Sequence, residues 1–213
     1  MNDSGVPEQV PAGEGPGSRE RLLAAAAGLF ADRGYAATSV REICEAAGVT
    51  KPTLYYYFGS KGGLARALLG DAAENLLAGL EGVASAPGAP REKLKAMARL
   101  IFERSSEAPQ TCRFFYASFL GPREAVAAYD FDAVIPRIIT LTARVFREGL
   151  QAGGGPASDC ELAAMILLGA LQGFAMRFVR RQDIQLTGDL ADQIVDQVLS
   201  GVSAESPDRG RAI

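Results

Sequence analysis

The chain has 213 residues, a formal net charge of −3, no histidine and three cysteines. This length can bury a sizeable core, either in one extended domain or in a small domain joined to a larger one. The lack of histidine excludes a histidine-based catalytic triad and disfavours the common zinc ligand sets. We therefore assign no catalytic or metal-binding residue and expect no cofactor.

Two further features bear on where the protein works. Three widely spaced cysteines, an odd number, indicate a reducing cytoplasm and not a disulfide framework. The sequence has no unbroken run of about eighteen apolar residues, and its N-terminus lacks the basic and apolar regions of a secretory signal. We expect a cytoplasmic protein with no membrane partner.

The chain begins with a segment that predicts no packed structure. Residues 1–17 are rich in Pro, Gly and Glu, and this composition predicts a disordered tail. Ser18 then starts a predicted helix that runs to about Arg33 and is closed by Gly34. Its apolar residues recur with helical period: Leu22, Ala26, Leu29 and Phe30.

Residues 38–61 carry the clearest pattern in the chain. Ser39 and Glu42 have the spacing of a capping box, so we expect a helix to begin there. Gly48 ends that helix, and Pro52 stands near the start of a second one, where a missing backbone N–H costs nothing. Two short helices joined by a turn that contains glycine form a helix-turn-helix.

In a helix-turn-helix the second helix enters the major groove of DNA. Leu54 and Phe58 lie one turn apart and are expected to face the core, which turns the polar and aromatic side chains outward. The alternative is a solvated turn between two core helices. We predict that the following residues face DNA, with Arg41, Lys51 and Thr53 reading bases: Ser39, Arg41, Lys51, Thr53, Tyr55, Tyr56 and Lys61.

This stretch resembles the DNA-binding signature of the tetracycline-repressor (TetR/AcrR) family of bacterial transcriptional regulators. The resemblance covers about the first quarter of the chain after the tail, and Tyr57 and Gly62 depart from the family's histidine and acidic residue. It implies that Tyr55, Tyr56 and Lys61 hold phosphates. It rests on residues 38–61 and on these flanking positions: Leu22, Ala26, Phe30, Gly34, Tyr35, Ala37, Thr38, Ser60, Lys61 and Leu64.

The charge distribution agrees with binding to DNA at one end of the chain. Residues 18–66 hold seven basic and four acidic residues, a local balance of +3 in a chain whose total is −3. Attraction for phosphate is therefore concentrated in residues 18–66, the segment that contains the predicted helix-turn-helix.

Beyond residue 60 the pattern predicts a long helix to about residue 83, then helices at about 91–105, from 109, and at about 130–151. Pro136 is a candidate for the first turn of the last of these. The resemblance implies a ligand cavity here, whereas aromatic residues at helical spacing commonly form plain core. The candidates for lining an apolar cavity are Met97, Ile101, Phe114, Phe115, Phe119, Ile138, Leu141 and Phe174, with Arg104, Arg113, Tyr116 or Gln172 as polar partners.

The last two predicted helices, at about 158–182 and 189–202, have wide apolar arcs, and Ser158 with Glu161 again has capping-box spacing. These arcs either complete the core of their own subunit or, as in the resembling family, form a four-helix interface between two copies. The residues predicted to lie in such an interface are Ile166, Ala170, Phe174, Ile194 and Val198.

Together these patterns predict an all-α protein with four parts: a tail over 1–17, a helix-turn-helix DNA-binding domain over 18–66, a helical ligand-binding and dimerisation domain over 67–203, and a tail over 204–213. The expected function is that of a homodimeric, sequence-specific regulator, a repressor released from a palindromic operator in double-stranded DNA by a largely apolar small-molecule effector. Two alternatives stay open: a regulator with no small-molecule effector, and a helical enzyme whose helix-turn-helix is unused.

Overall fold

The computed structural model describes residues 17–121, 129–150 and 157–203, and all regular structure within these ranges is helical. The all-α prediction is confirmed. The two predicted tails lie outside the described residues, apart from Gly17. The helices are α1 Ser18–Arg33, α2 Val40–Ala47, α3 Lys51–Phe58, α4 Lys61–Ser85, α5 Pro90–Glu107, α6 Pro109–Leu120, α7 Phe131–Leu150, α8 Ala157–Arg181 and α9 Gly188–Ser203.

Local capping explains where several helices begin, and at α7 it excludes Pro136 from the first turn. Pro136 lies inside α7 and not in its first turn, because the Asp130 carboxylate accepts a hydrogen bond from the Ala133 N–H at 3.1 Å and starts the helix earlier. The helix predicted to start at the Ser158 cap already includes Ala157, and the Ser158 side chain lies outside the described residues.

Two hydrophobic clusters form the core. The first, which we call the head cluster, joins α1, α2 and α3 to the N-terminal part of α4 and to α6, whose buried member is Phe114. Its largest buried members are Leu22, Phe30, Ile43, Leu54, Leu64, Leu69 and Phe114. Leu68 and Leu69 belong to this cluster, so the core of the head extends past the boundary predicted at residue 66.

The second cluster, which we call the lobe cluster, gathers the remaining helices around α5 and α8. Its buried members include Leu80, Leu94, Met97, Phe102, Phe146, Leu167, Leu171 and Val195. Because α4 contributes Leu64 to the head cluster and Leu80 to the lobe cluster, it connects the two. Helix α6 also reaches the head cluster, through Phe114.

Candidate nucleic-acid interface

The capping box predicted for α2 is present. The Ser39 Oγ accepts a hydrogen bond from the Glu42 N–H at 3.2 Å, and the Glu42 carboxylate accepts one from the Ser39 N–H at 2.8 Å. Arg33 also binds that carboxylate, at 2.9 Å. The bonds from the Ser39 backbone and side chain, ahead of the attraction of Arg33, lower the pKa of Glu42.

The turn between α2 and α3 depends on one glycine. Gly48 has φ +63° and ψ +38°, the left-handed conformation that most side chains disfavour. The Val49 N–H binds the Cys44 carbonyl at 3.0 Å, and the Arg21 Nε binds the Ala47 carbonyl at 3.2 Å. These bonds fix the end of α2, and through it the direction in which α3 leaves the turn.

Helix α3 has one buried and one exposed side. Leu54 is completely buried in the head cluster, whereas Tyr56 is 84% exposed and Tyr55 and Lys51 are also exposed. Thr53 is half-buried, and its hydroxyl lies 2.9 Å from that of Thr50. The exposed side therefore offers an ammonium and phenolic hydroxyls, which can donate hydrogen bonds to phosphates or to base edges.

Arg41 lies in the first turn of α2. It is exposed, and its Nε donates to the Glu45 carboxylate at 2.7 Å. This hydrogen bond, ahead of the charge of Glu45, raises the pKa of Arg41. The pair is an exposed i,i+4 ion pair, which contributes little to stability, so the guanidinium can exchange this partner for a base edge at small cost.

Lys61 has an internal role that differs from the phosphate contact implied by the resemblance. Its ammonium donates to the backbone carbonyls of Tyr35 and Thr38, at 2.9 and 2.8 Å, and lies 4.3 Å from the centre of the Tyr35 ring. These contacts hold the start of α4 against the turn between α1 and α2. The charge is therefore used within the fold, which disfavours the phosphate contact implied by the resemblance; that contact stays a prediction.

The predicted cavity residues divide between the two clusters instead of lining one cavity. Met97, Ile101, Ile138, Leu141 and Phe174 pack in or against the lobe cluster. In contrast, Phe114 and Phe115 belong to or pack against the head cluster, and Phe119 is partly exposed beside Phe115 and Phe131. Phe114 is therefore a core residue and does not line a cavity, because α6 turns this side chain toward α1.

A pocket does lie between α6 and α8. It has a volume of about 340 Å³ and includes two of the predicted polar partners, Arg113 and Tyr116, but none of the eight predicted apolar residues. Sequence reasoning missed the other lining residues because each helix rotation was unknown: Ala117, Leu120, Gly121, Met176, Val179 and Arg180.

Helix α8 presents an apolar face to solvent. Leu162, Met165 and Ile166 are 59%, 55% and 50% exposed, and a side chain at Gly169 or Gly173 would meet open space. Sequence reasoning selected Ile166 and missed Leu162 and Met165, although their spacing places all three on one helix face.

The other predicted interface residues differ in accessibility. Ala170, Phe174 and Val198 are half-buried against the lobe cluster. Ile194 is only 8% exposed and belongs to the lobe cluster itself. The protomer's own core already takes up this side chain, which disfavours its predicted place in an interface.

One helix bears on the prediction that the protein has no membrane partner. By length and composition, residues 160–181 of α8 could cross a bilayer, and 33% of the apolar window is buried within the protein. Only the face of α8 that packs on the lobe cluster is buried, and the exposed apolar face on the other side explains why the buried share of the window is low.

The segment that contains the helix-turn-helix matches a known protein family. Residues 22–68 match the family model described as bacterial regulatory proteins, tetR family. The HTH-type transcriptional regulator BetI of Rhizobium meliloti (strain 1021) is 30% identical over 169 residues, which cover 76% of this chain and 78% of that protein.

Two further similarities concern a repressor and a ligand-bound structure. The HTH-type transcriptional repressor KstR2 of Mycolicibacterium smegmatis (strain ATCC 700084 / mc(2)155) is 36% identical over 85 residues, covering 40% of this chain and 42% of that protein. The crystal structure of FadR from Bacillus subtilis in complex with stearoyl-CoA superposes with a TM-score of 0.71 at 19% identity, covering 85% of this chain and 97% of that one.

Proposed function

The chain belongs to the tetR family of bacterial regulatory proteins, and on this basis we propose that it is a cytoplasmic, homodimeric repressor that leaves a palindromic operator when a small molecule enters the lobe. That it is a DNA-binding transcriptional regulator follows from the family. The proposal concerns four further points: which residues contact DNA, that the protein is a dimer, that it represses, and that a small molecule releases it.

The exposed side of α3 carries the proposal. Leu54 holds the helix in the head cluster, so Lys51, Tyr55 and Tyr56 are directed away from the protein. A short helix fixed by one buried side and displaying donors on the other is suited to the major groove. We propose DNA contacts from the predicted set without Lys61: Ser39, Arg41, Lys51, Thr53, Tyr55 and Tyr56.

A dimer supplies a second DNA-binding module, which we call a second head. One module of this size covers a few base pairs and binds weakly, so specific affinity requires two heads at a fixed separation. The apolar face of α8 supports this step, because Leu162, Met165 and Ile166 leave apolar surface uncovered in the single protomer. Gly169 and Gly173 on the same face would allow a second α8 to approach closely.

The effector part of the proposal rests on the pocket between α6 and α8. Its volume of about 340 Å³ lies at the lower end of the range for small-molecule sites, and most of its lining residues are apolar. The FadR structure with stearoyl-CoA has the same fold and supports a small-molecule effector, although its ligand belongs to that protein. KstR2 supports the sign, since it is a repressor.

The test is selection of DNA sites from a random pool, followed by titration of the selected site with two variants. We expect palindromic sites, and we expect Arg41→Ala to lose about 1–3 kcal/mol of discrimination at one base pair. Arg104→Ala is the matched control, because Arg104 is an exposed arginine of α5 with a similar acidic neighbour, Glu107. Failure to enrich any site, or equal effects of the two changes, would refute the proposal.

A further inference from the structure

Helix α6 contacts the head on one side and the pocket on the other. Phe114 is almost completely buried in the head cluster, with its ring centre 4.8 Å from that of Phe30 on α1. Tyr116, Ala117 and Leu120 of the same helix line the pocket against α8. A molecule in the pocket would therefore press on the helix that packs against the head.

The pocket combines apolar walls with two positive charges. Arg113 contributes from α6 and Arg180 from α8, whereas none of the described lining residues is acidic. Two guanidinium groups facing one small space favour an anion, and the apolar walls favour a hydrocarbon body attached to it. Tyr116 also lines the pocket; burial, ahead of the charge of Cys112 and the side-chain hydrogen bond to it, raises the pKa of this phenol.

One of these arginines also reaches the head. The Arg113 Nη1 lies 3.5 Å from the Asp32 Oδ1 at the end of α1, and both side chains are largely exposed. An exposed ion pair of this length is weak. An anion bound in the pocket can therefore replace Asp32 as the partner of Arg113 at little cost.

We propose that the pocket binds an amphipathic anion, with its acid group between Arg113 and Arg180, and that the bound acid draws Arg113 away from Asp32 and so alters the contact of α6 with the head. This inference rests on the proposed function, because it specifies the chemical class of the effector and the contact through which it acts. Since coupling is reciprocal, DNA that favours the Arg113–Asp32 contact disfavours the anion equally.

The binding test uses titration calorimetry of the full chain with decanoate, decyl phosphate and decanol. We expect both anions to bind at least ten times more tightly than decanol, and Arg180→Gln or Arg113→Gln to weaken them about ten-fold. Arg104 was a candidate polar partner but pairs with Glu107 and does not line this pocket, so Arg104→Gln removes the same charge and should have no effect. The tighter of the two anions identifies the acid group as carboxylate or phosphate.

Two results would overturn the binding step. One is decanol binding as tightly as both anions, which would show an apolar site without anion recognition. The other is equal weakening in Arg104→Gln and Arg180→Gln, which would reduce the effect to net charge. Failure of both anions to bind would likewise reject the site.

The coupling test measures affinity for the selected DNA with and without decanoate, in the wild type and in Asp32→Asn. Removing the competing carboxylate should tighten decanoate binding by a factor of about five or less, and it should shrink the loss of DNA affinity that decanoate causes. An unchanged loss in Asp32→Asn would refute this contact. If the protein selects no DNA, the proposed function fails; if it binds DNA but ignores both anions, only the present inference fails.

Discussion

Replacing Ile166 with lysine should separate dimerisation from folding. Burying an isoleucine side chain completely is worth about 1.5–3 kcal/mol, and Ile166 is 50% exposed in the protomer. The half still to be covered is thus worth about 1 kcal/mol in each copy, or about 2 kcal/mol per dimer. Each buried ammonium adds several kcal/mol of desolvation. The sum exceeds about 5 kcal/mol, so the dimer dissociation constant should rise more than about a thousand-fold.

The protomer itself should tolerate this change, because a lysine at a half-exposed position can extend its ammonium into water. We expect Ile166→Lys to be monomeric by sedimentation, to keep its helical circular dichroism, and to lose tight binding to a palindrome. Ala78→Lys, at an exposed position of α4, adds the same charge as a control. An intact dimer of Ile166→Lys would place the interface elsewhere, and a folded monomer that still binds a palindrome tightly would refute the need for two heads.

Two further predictions concern the support of the head. Because the folded pKa of Glu42 lies below its ordinary value of 4.5, its carboxylate stabilises the fold above the unfolded pKa, and this contribution is lost as the pH falls through the folded pKa. The urea midpoint of the wild type should therefore fall on acidification. Glu42→Gln keeps an acceptor at the same place and should show a smaller fall. The same dependence of the urea midpoint on pH in both proteins would contradict the capping role. Lys61→Met deprives two carbonyls of a charged donor and should lower the free energy of unfolding by about 2 kcal/mol. DNA binding by this variant should keep the wild-type salt slope; a slope shallower by about one would instead show a phosphate contact.

Helices α4 and α6 both connect the two parts of the molecule. Helix α4 is continuous between the clusters, with Leu64 in one and Leu80 in the other. Helix α6 adds a second connection through Phe114. Close-packed interiors transmit displacements instead of absorbing them, so we expect a shift of either helix to change the position of the head.

The sequence by itself determined the helix-turn-helix, because the residue preferences that specify it act locally. Ser39 and Glu42 cap a helix across three residues, Gly48 permits the left-handed turn, and Pro52 fits the first turn of the next helix. Each of these preferences acts within one turn of the chain and needs no distant partner. The inward position of Leu54 followed from the same helical spacing.

Tertiary structure decided how each long helix is rotated and which surface each side chain meets. Successive residues of a helix point about 100° apart, so a small change in rotation moves a side chain from a pocket to a core. Phe114 turned to the head and Ile194 to the lobe core, while Arg180, four turns along α8 from Ile166, came to face Arg113 across the pocket. These placements depend on packing between residues far apart in the chain, for which the sequence carries no local signal.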